Sequence, residues 1–112
     1  MTVTESHFGP VTVLSLAGKS MGGPDAGRLN EKIHELIEAG VRKVVVDLAQ
    51  VKLMNSSGLG LLISALSTVR SNGGELKLAC VAPRIRTLMT ITKLIHVFET
   101  YDSVEGAVAS FS

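Results

Sequence analysis

Residues 41–72 read VRKVVVDLAQVKLMNSSGLGLLISALSTVRSN, and this stretch decides the fold class. Val41 to Leu48 carries Val44, Val45, Val46 and Leu48. A continuous β-branched run of this kind marks a strand buried on both faces, as in a sheet sandwiched by helices. Val51 to Asn55 reads as a connection. From Ser57 to Asn72, Leu59, Leu62, Ile63, Leu66 and Val69 recur at helical offsets and trace one apolar stripe. Asn72-Gly73-Gly74 ends it.

The same punctuation extends in both directions. Upstream, Thr2 to Leu16 reads as two strands broken at Phe8-Gly9-Pro10, a hairpin. Gly18 to Pro24 reads as a loop, with Pro24 near the first turn of a helix. Leu29, Ile33, Leu36 and Ile37 share one face of that helix, and Gly40 stops it. Downstream, Glu75 to Val81 alternates, with Leu76, Leu78 and Cys80 on one side and Glu75, Lys77 and Ala79 on the other. Pro83 opens a third helix bearing Ile85, Leu88 and Met89. Leu94-Ile95-His96-Val97-Phe98 reads as a last strand. Asp102, three residues before Glu105, reads as the cap of a final helix lined by Val104, Ala107, Val108 and Phe111. The order β-β-α-β-α-β-α-β-α predicts an α/β layered fold: one domain over 1–112, with a mixed, mostly parallel sheet and about four helices.

Composition narrows the function classes. The chain has 112 residues, 46% of them hydrophobic, which suffices for one buried core. A single cysteine, Cys80, forms no internal disulfide and favours a reducing compartment. A net charge of +1 with 4% aromatic residues makes nucleic acid a poor partner. No basic segment followed by an apolar block opens the chain, and the apolar runs are too short to span a bilayer. A soluble cytoplasmic protein is the expectation.

The chemistry concentrates in Leu53-Met54-Asn55-Ser56-Ser57-Gly58-Leu59-Gly60, between a buried strand and a helix. Helix N-termini carry unsatisfied amides, so Asn55, Ser56 or Ser57 can act as the cap. A phosphate loop is the second reading of Gly58-x-Gly60, but the third glycine of the dinucleotide fingerprint and the lysine of a P-loop are missing. His7, His34 and His96 are far apart, so no metal site is expected. Asp47 is expected to hydrogen-bond backbone near the serine loop, and Cys80 to be a small buried apolar residue. Arg84 and Arg86, near a helix start, could face a phosphate or a partner, and read first as solvated surface charges. With no Gly-x-Ser-x-Gly elbow or other catalytic constellation, the chain is not expected to be an enzyme or to hold a cofactor.

The valine-rich strand, Asp47-Leu48, Met54-Asn55-Ser56-Ser57-Gly58-Leu59-Gly60, the apolar helix, Gly73-Gly74, Leu76-Lys77-Leu78-Ala79 and Pro83-Arg84-Ile85 together resemble the STAS family. More narrowly, they resemble the bacterial anti-sigma factor antagonists. The resemblance implies a cycle. The unphosphorylated protein binds an anti-sigma factor that is also a serine kinase, the kinase phosphorylates the position matching Ser56, the complex parts, and a serine phosphatase resets it. Asn55, Ser56, Ser57, Gly58 and Gly60 would form the partner surface, with Met21 and Asp25 from the loop before the first helix. Two positions depart from the family pattern: Asn55 where aspartate is common, and Lys19 where an acid is expected. These departures favour the alternative of an unphosphorylated STAS module that binds a small ligand or serves as an accessory subunit of a transporter or signalling complex.

Overall fold

The computed structural model describes residues 2–21 and 27–111, with backbone only for 19–21. Two strands, β1 (Thr2–Phe8) and β2 (Val11–Met21), form the opening hairpin. They are followed by α1 (Gly27–Glu38), β3 (Lys43–Met54), α2 (Ser56–Ser71), β4 (Glu75–Ala79), α3 (Pro83–Ile91), β5 (Glu99–Tyr101) and α4 (Val104–Ala109). The sheet order is β1-β2-β3-β4-β5; only the β1–β2 pair is antiparallel. Gly9 turns the hairpin at φ +63, a conformation open to glycine at little cost. The mixed, mostly parallel sheet with four helices is the one expected from the sequence.

The two faces of the sheet are unequal. Leu14, Leu16, Val44, Val46, Leu48, Leu76 and Leu78 pack under Leu29 and Ile33 of α1, Leu59, Leu62, Leu66 and Val69 of α2, and Ile85 and Met89 of α3. The opposite face carries Val11, Val13, Val45 and Ala79 beneath Ala107 of the short α4. Val44 and Val45 are therefore both sealed, on opposite sides, which is why the central strand reads as unbroken valine.

Several boundaries differ from the sequence expectation. β2 runs on to Met21 and β3 to Met54, where the sequence suggested a loop and a connection. The two extensions satisfy each other, with Gly18 opposite Val51 and Met21 opposite Met54. Between them lies a bulge: Ser15 faces Asp47, but Ala17 faces Gln50, so β3 holds one extra residue. Asp47 Oδ1 accepts the Ala49 amide at 3.0 Å inside this bulge, and the extra residue lets Leu48 and Val51 reach the same core.

Leu94-Ile95-His96-Val97-Phe98 is not a strand. Lys93 adopts φ +63, and the Leu94 and Ile95 amides both return to the Met89 carbonyl, so the segment closes α3 and tucks apolar side chains under the core. The strand is the more polar Glu99–Tyr101, which pairs with β4. Ser103, not Asp102, caps α4: its Oγ accepts the Gly106 amide at 3.0 Å. Cys80 lies beyond β4 at φ +59, which turns it away from Leu76 and Leu78 to the α4 side, half-buried. Gly22-Gly23-Pro24-Asp25, the expected approach to α1, lies outside the described residues.

Candidate functional site

The carboxyl ends of the parallel strands converge where β3 hands over to α2. Asn55 is extended and its Oδ1 accepts the Gly58 amide at 2.9 Å, while its carbonyl takes the Leu59 amide at 3.0 Å. Asn55 is thus the cap, one of the alternatives open in the sequence, and Ser57 is not. An asparagine suits this place because its oxygen reaches the third amide of the turn with extended backbone.

With capping assigned to Asn55, Ser56 and Ser57 become the first two residues of the helix, and both are exposed. Gly58 turns inward, buried above the core with Leu59. Gly60 is exposed, and a Cβ placed there would meet nothing within 4 Å. The first turn of α2 contains no acidic side chain. Asn55, Ser56, Ser57 and Gly60 are thus exposed over the first turn and a half of α2, whereas Gly58, expected on the same surface, faces the core. Met21 joins by its backbone, which stands opposite Met54 at the end of the sheet; its side chain and all of Asp25 lie outside the described residues.

Two exposed residues near this turn, Lys52 and Leu53, carry no obvious sequence signal. Lys52 and Leu53 lie on the β3 extension, and Leu53 is 44% exposed. Together with Ala82, Pro83 and Arg84 of the β4–α3 junction they line a surface groove of about 520 Å³. Leu53 was hidden by the assignment of its segment to a connection. Strand alternation from the buried Val51 would turn Leu53 inward; Lys52 and Leu53 are instead exposed in succession at the end of β3.

On the other side of the sheet, Ser15 Oγ donates to Asp47 Oδ2 at 3.1 Å. Asp47 thereby bridges two strands and the bulge. Burial, then the nearby Asp47 carboxylate, push the Cys80 thiol above its ordinary value. A thiol held protonated is a poor nucleophile. Among the described residues no three His, Cys, Asp or Glu side chains gather as a metal site, and no helix is long and apolar enough to cross a membrane.

A five-stranded mixed sheet with three helices on one face, one on the other, and a serine pair opening the second helix defines a STAS-type domain. The chain belongs to the STAS domain family, whose model matches residues 4–107. It is 33% identical to the anti-sigma-B factor antagonist of Staphylococcus aureus, over 88% of this chain and 90% of that one. It is 29% identical to the BtrV protein of Bordetella bronchiseptica, over 99% and 95% of the two chains. The Bacillus cell-fate determinant SpoIIAA, solved in its phosphorylated form, shares the fold with a TM-score of 0.75 at 18% identity, covering 99% of this chain and 100% of its own.

Proposed function

We propose that this chain is an anti-sigma factor antagonist switched by phosphorylation of Ser56. Unphosphorylated, it binds an anti-sigma factor serine kinase and frees a sigma factor; phosphorylated, it is released, and a serine phosphatase resets it. The protein acts by binding and is not itself an enzyme, and its place of action is the cytoplasm.

The observation that carries this reading is the division of labour at the start of α2. Asn55 holds the cap, so the neighbouring Ser56 stands exposed at the first helical position. Its hydroxyl can be modified without removing the bond that starts the helix. Phosphorylation adds about −1.5 to −2 charges. The amino end of a helix favours an anion, so the fold tolerates the group. The consequence falls on the interface, where an uncompensated buried anion is costly. A thousandfold release needs only about 4 kcal/mol. The relationship to the S. aureus anti-sigma-B factor antagonist supports the same role.

The test is to incubate the protein with the anti-sigma factor kinase of its own organism and ATP, and to locate the phosphate by mass spectrometry. Modification is expected at Ser56. Ser56→Ala should bind the kinase and resist release, and Ser56→Asp should bind poorly. Phosphate on another residue, or equal binding by the two variants, overturns the assignment.

A further inference from the structure

The groove beside Ser56 has a chemistry of its own. Its described lining is two cations, Lys52 and Arg84, and three apolar residues, Leu53, Ala82 and Pro83, with no carboxylate among them. Leu53 presents aliphatic surface at 44% exposure, which is unusual for a leucine near the end of a central strand. Lys52 and Arg84, which line the same groove, are both exposed. The strand that carries Lys52 and Leu53 runs directly into Met54, Asn55 and Ser56, so the groove lies only a few residues along the chain from the serine turn.

Its far wall is the start of α3, which lacks a side-chain cap. Ala82 occupies the cap position without an oxygen to offer, and Pro83 follows as the first helical residue. The first-turn amides of α3 after Pro83 consequently lack a side-chain acceptor, and the dipole there adds to the positive character set by Lys52 and Arg84.

We infer that this groove receives a segment of the anti-sigma factor that carries a carboxylate beside an aliphatic side chain: the carboxylate between Lys52 and Arg84, the aliphatic group on Leu53. The inference rests on the antagonist reading and supplies its second half. Ser56 switches the complex, and the groove gives it orientation and partner choice. Charge complementarity argues for an acidic segment, since an acidic surface is drawn to this groove and a basic one repelled. It also separates the two contacts in their physics. The ionic part weakens with salt, and the leucine part does not.

The experiment measures binding of the anti-sigma factor kinase to the full chain across a series of salt concentrations, for wild type, Ser56→Asp, Lys52→Gln with Arg84→Gln, and Leu53→Gln. All the substituted side chains are exposed, and thermal melts confirm that each variant is folded. The double charge variant is expected to weaken binding about tenfold at low salt, as for two partly exposed ion pairs, and to flatten the salt dependence. Leu53→Gln is expected to weaken binding with the salt dependence unchanged. Wild-type affinity and salt slope in the double variant, while Ser56→Asp still loses binding, would overturn the groove and leave the switch standing. Failure of the wild type to bind the kinase at all would overturn the antagonist reading and the groove's role with it.

Discussion

Lys77 Nζ stands 4.3 Å from the centroid of the Phe111 ring, on the sheet face that only α4 covers. The lysine side chain is 8% exposed, and its ammonium also donates to Ser110 Oγ at 2.8 Å and to the Ser110 carbonyl at 3.3 Å, with Glu99 Oε2 at 3.4 Å. A short helix of six residues cannot hold itself together in water. Here a cation from the neighbouring strand binds the carbonyl of Ser110, the residue that caps its carboxyl end, and the aromatic ring beyond it. Lys77→Ala should therefore cost roughly 2–3 kcal/mol, the sum of charged hydrogen bonds and a desolvated cation–π contact. Lys77→Met keeps the apolar stem and should recover part of the loss. Urea denaturation of the two variants checks this, and unchanged midpoints would remove Lys77 as the anchor of α4.

The division of labour between Asn55 and Ser56 is testable in stability alone. Asn55→Ala removes the acceptor of the Gly58 amide and should cost about 1 kcal/mol. Ser56→Asp adds a charge at the same helix end and should be neutral or stabilising by about 0.3–1 kcal/mol. Thermal melts at low and high salt separate the two, since only the second effect is screened. A strongly destabilised Ser56→Asp would mean that the hydroxyl is structural after all.

Two glycines give opposite answers to the same substitution. A Cβ on Gly74 would lie 2.4 Å from the Arg42 carbonyl oxygen and 2.9 Å from Val69 Cγ1, so backbone must move to admit it. Gly74→Ala should destabilise by about 3 kcal/mol. At Gly60 the space is open and the backbone helical. Gly60→Ala should stabilise the fold by about 1 kcal/mol through helix propensity. If a partner packs against this turn, the same methyl group weakens binding. Paired measurements of unfolding and kinase binding decide whether Gly60 is kept for folding or for approach.

Lys32 of α1 ties the edge strand to the body of the molecule through Glu5, at 2.6 Å. The hydrogen bond from Lys32, against some opposition from burial and aided by the charges of Lys32 and His7, holds the Glu5 carboxyl below its ordinary value. Hydrogen bonds to Glu5 and then Glu35 raise Lys32 above its own. A lowered carboxylate contributes stability that is complete above its unfolded value and lost as pH falls through the folded one. For the raised lysine the contribution is complete below the unfolded value and lost as pH climbs through the folded one. Glu5→Gln should lower stability at neutral pH and flatten the acid limb, so that the two proteins converge in acid. Urea midpoints from about pH 7 down to about pH 3 test this; parallel curves would show that the pair contributes nothing.

The parts of this molecule that depend on near neighbours were legible from the chain. The stripes of α1 and α2 follow from side chains three and four residues apart that must face one way. The valine run of β3 follows from having a core on both sides. The grouping of Asn55 to Gly60 at one helix start also needed no partner strand, because capping is settled within four residues. Sequence stopped short wherever a distant segment supplied the hydrogen bonds. The second halves of β2 and β3 look like loop and connection, and they are strands because each gives the other its ladder partner. Leu94 to Phe98 has the apolar composition of a strand, yet its amides close α3 and its side chains serve the core.

The amino-acid order alone therefore determined the element sequence, the class of sheet and the helix start at which the serine pair stands, since these rest on local periodicity and local hydrogen bonding. Only the tertiary structure decided that Asn55 rather than Ser57 holds the cap, that Leu53 is left exposed at the end of β3, and that Lys52 and Arg84 line one groove. Those outcomes depend on register between strands and on which surfaces the helices leave uncovered, and neither is written in the spacing of any single segment.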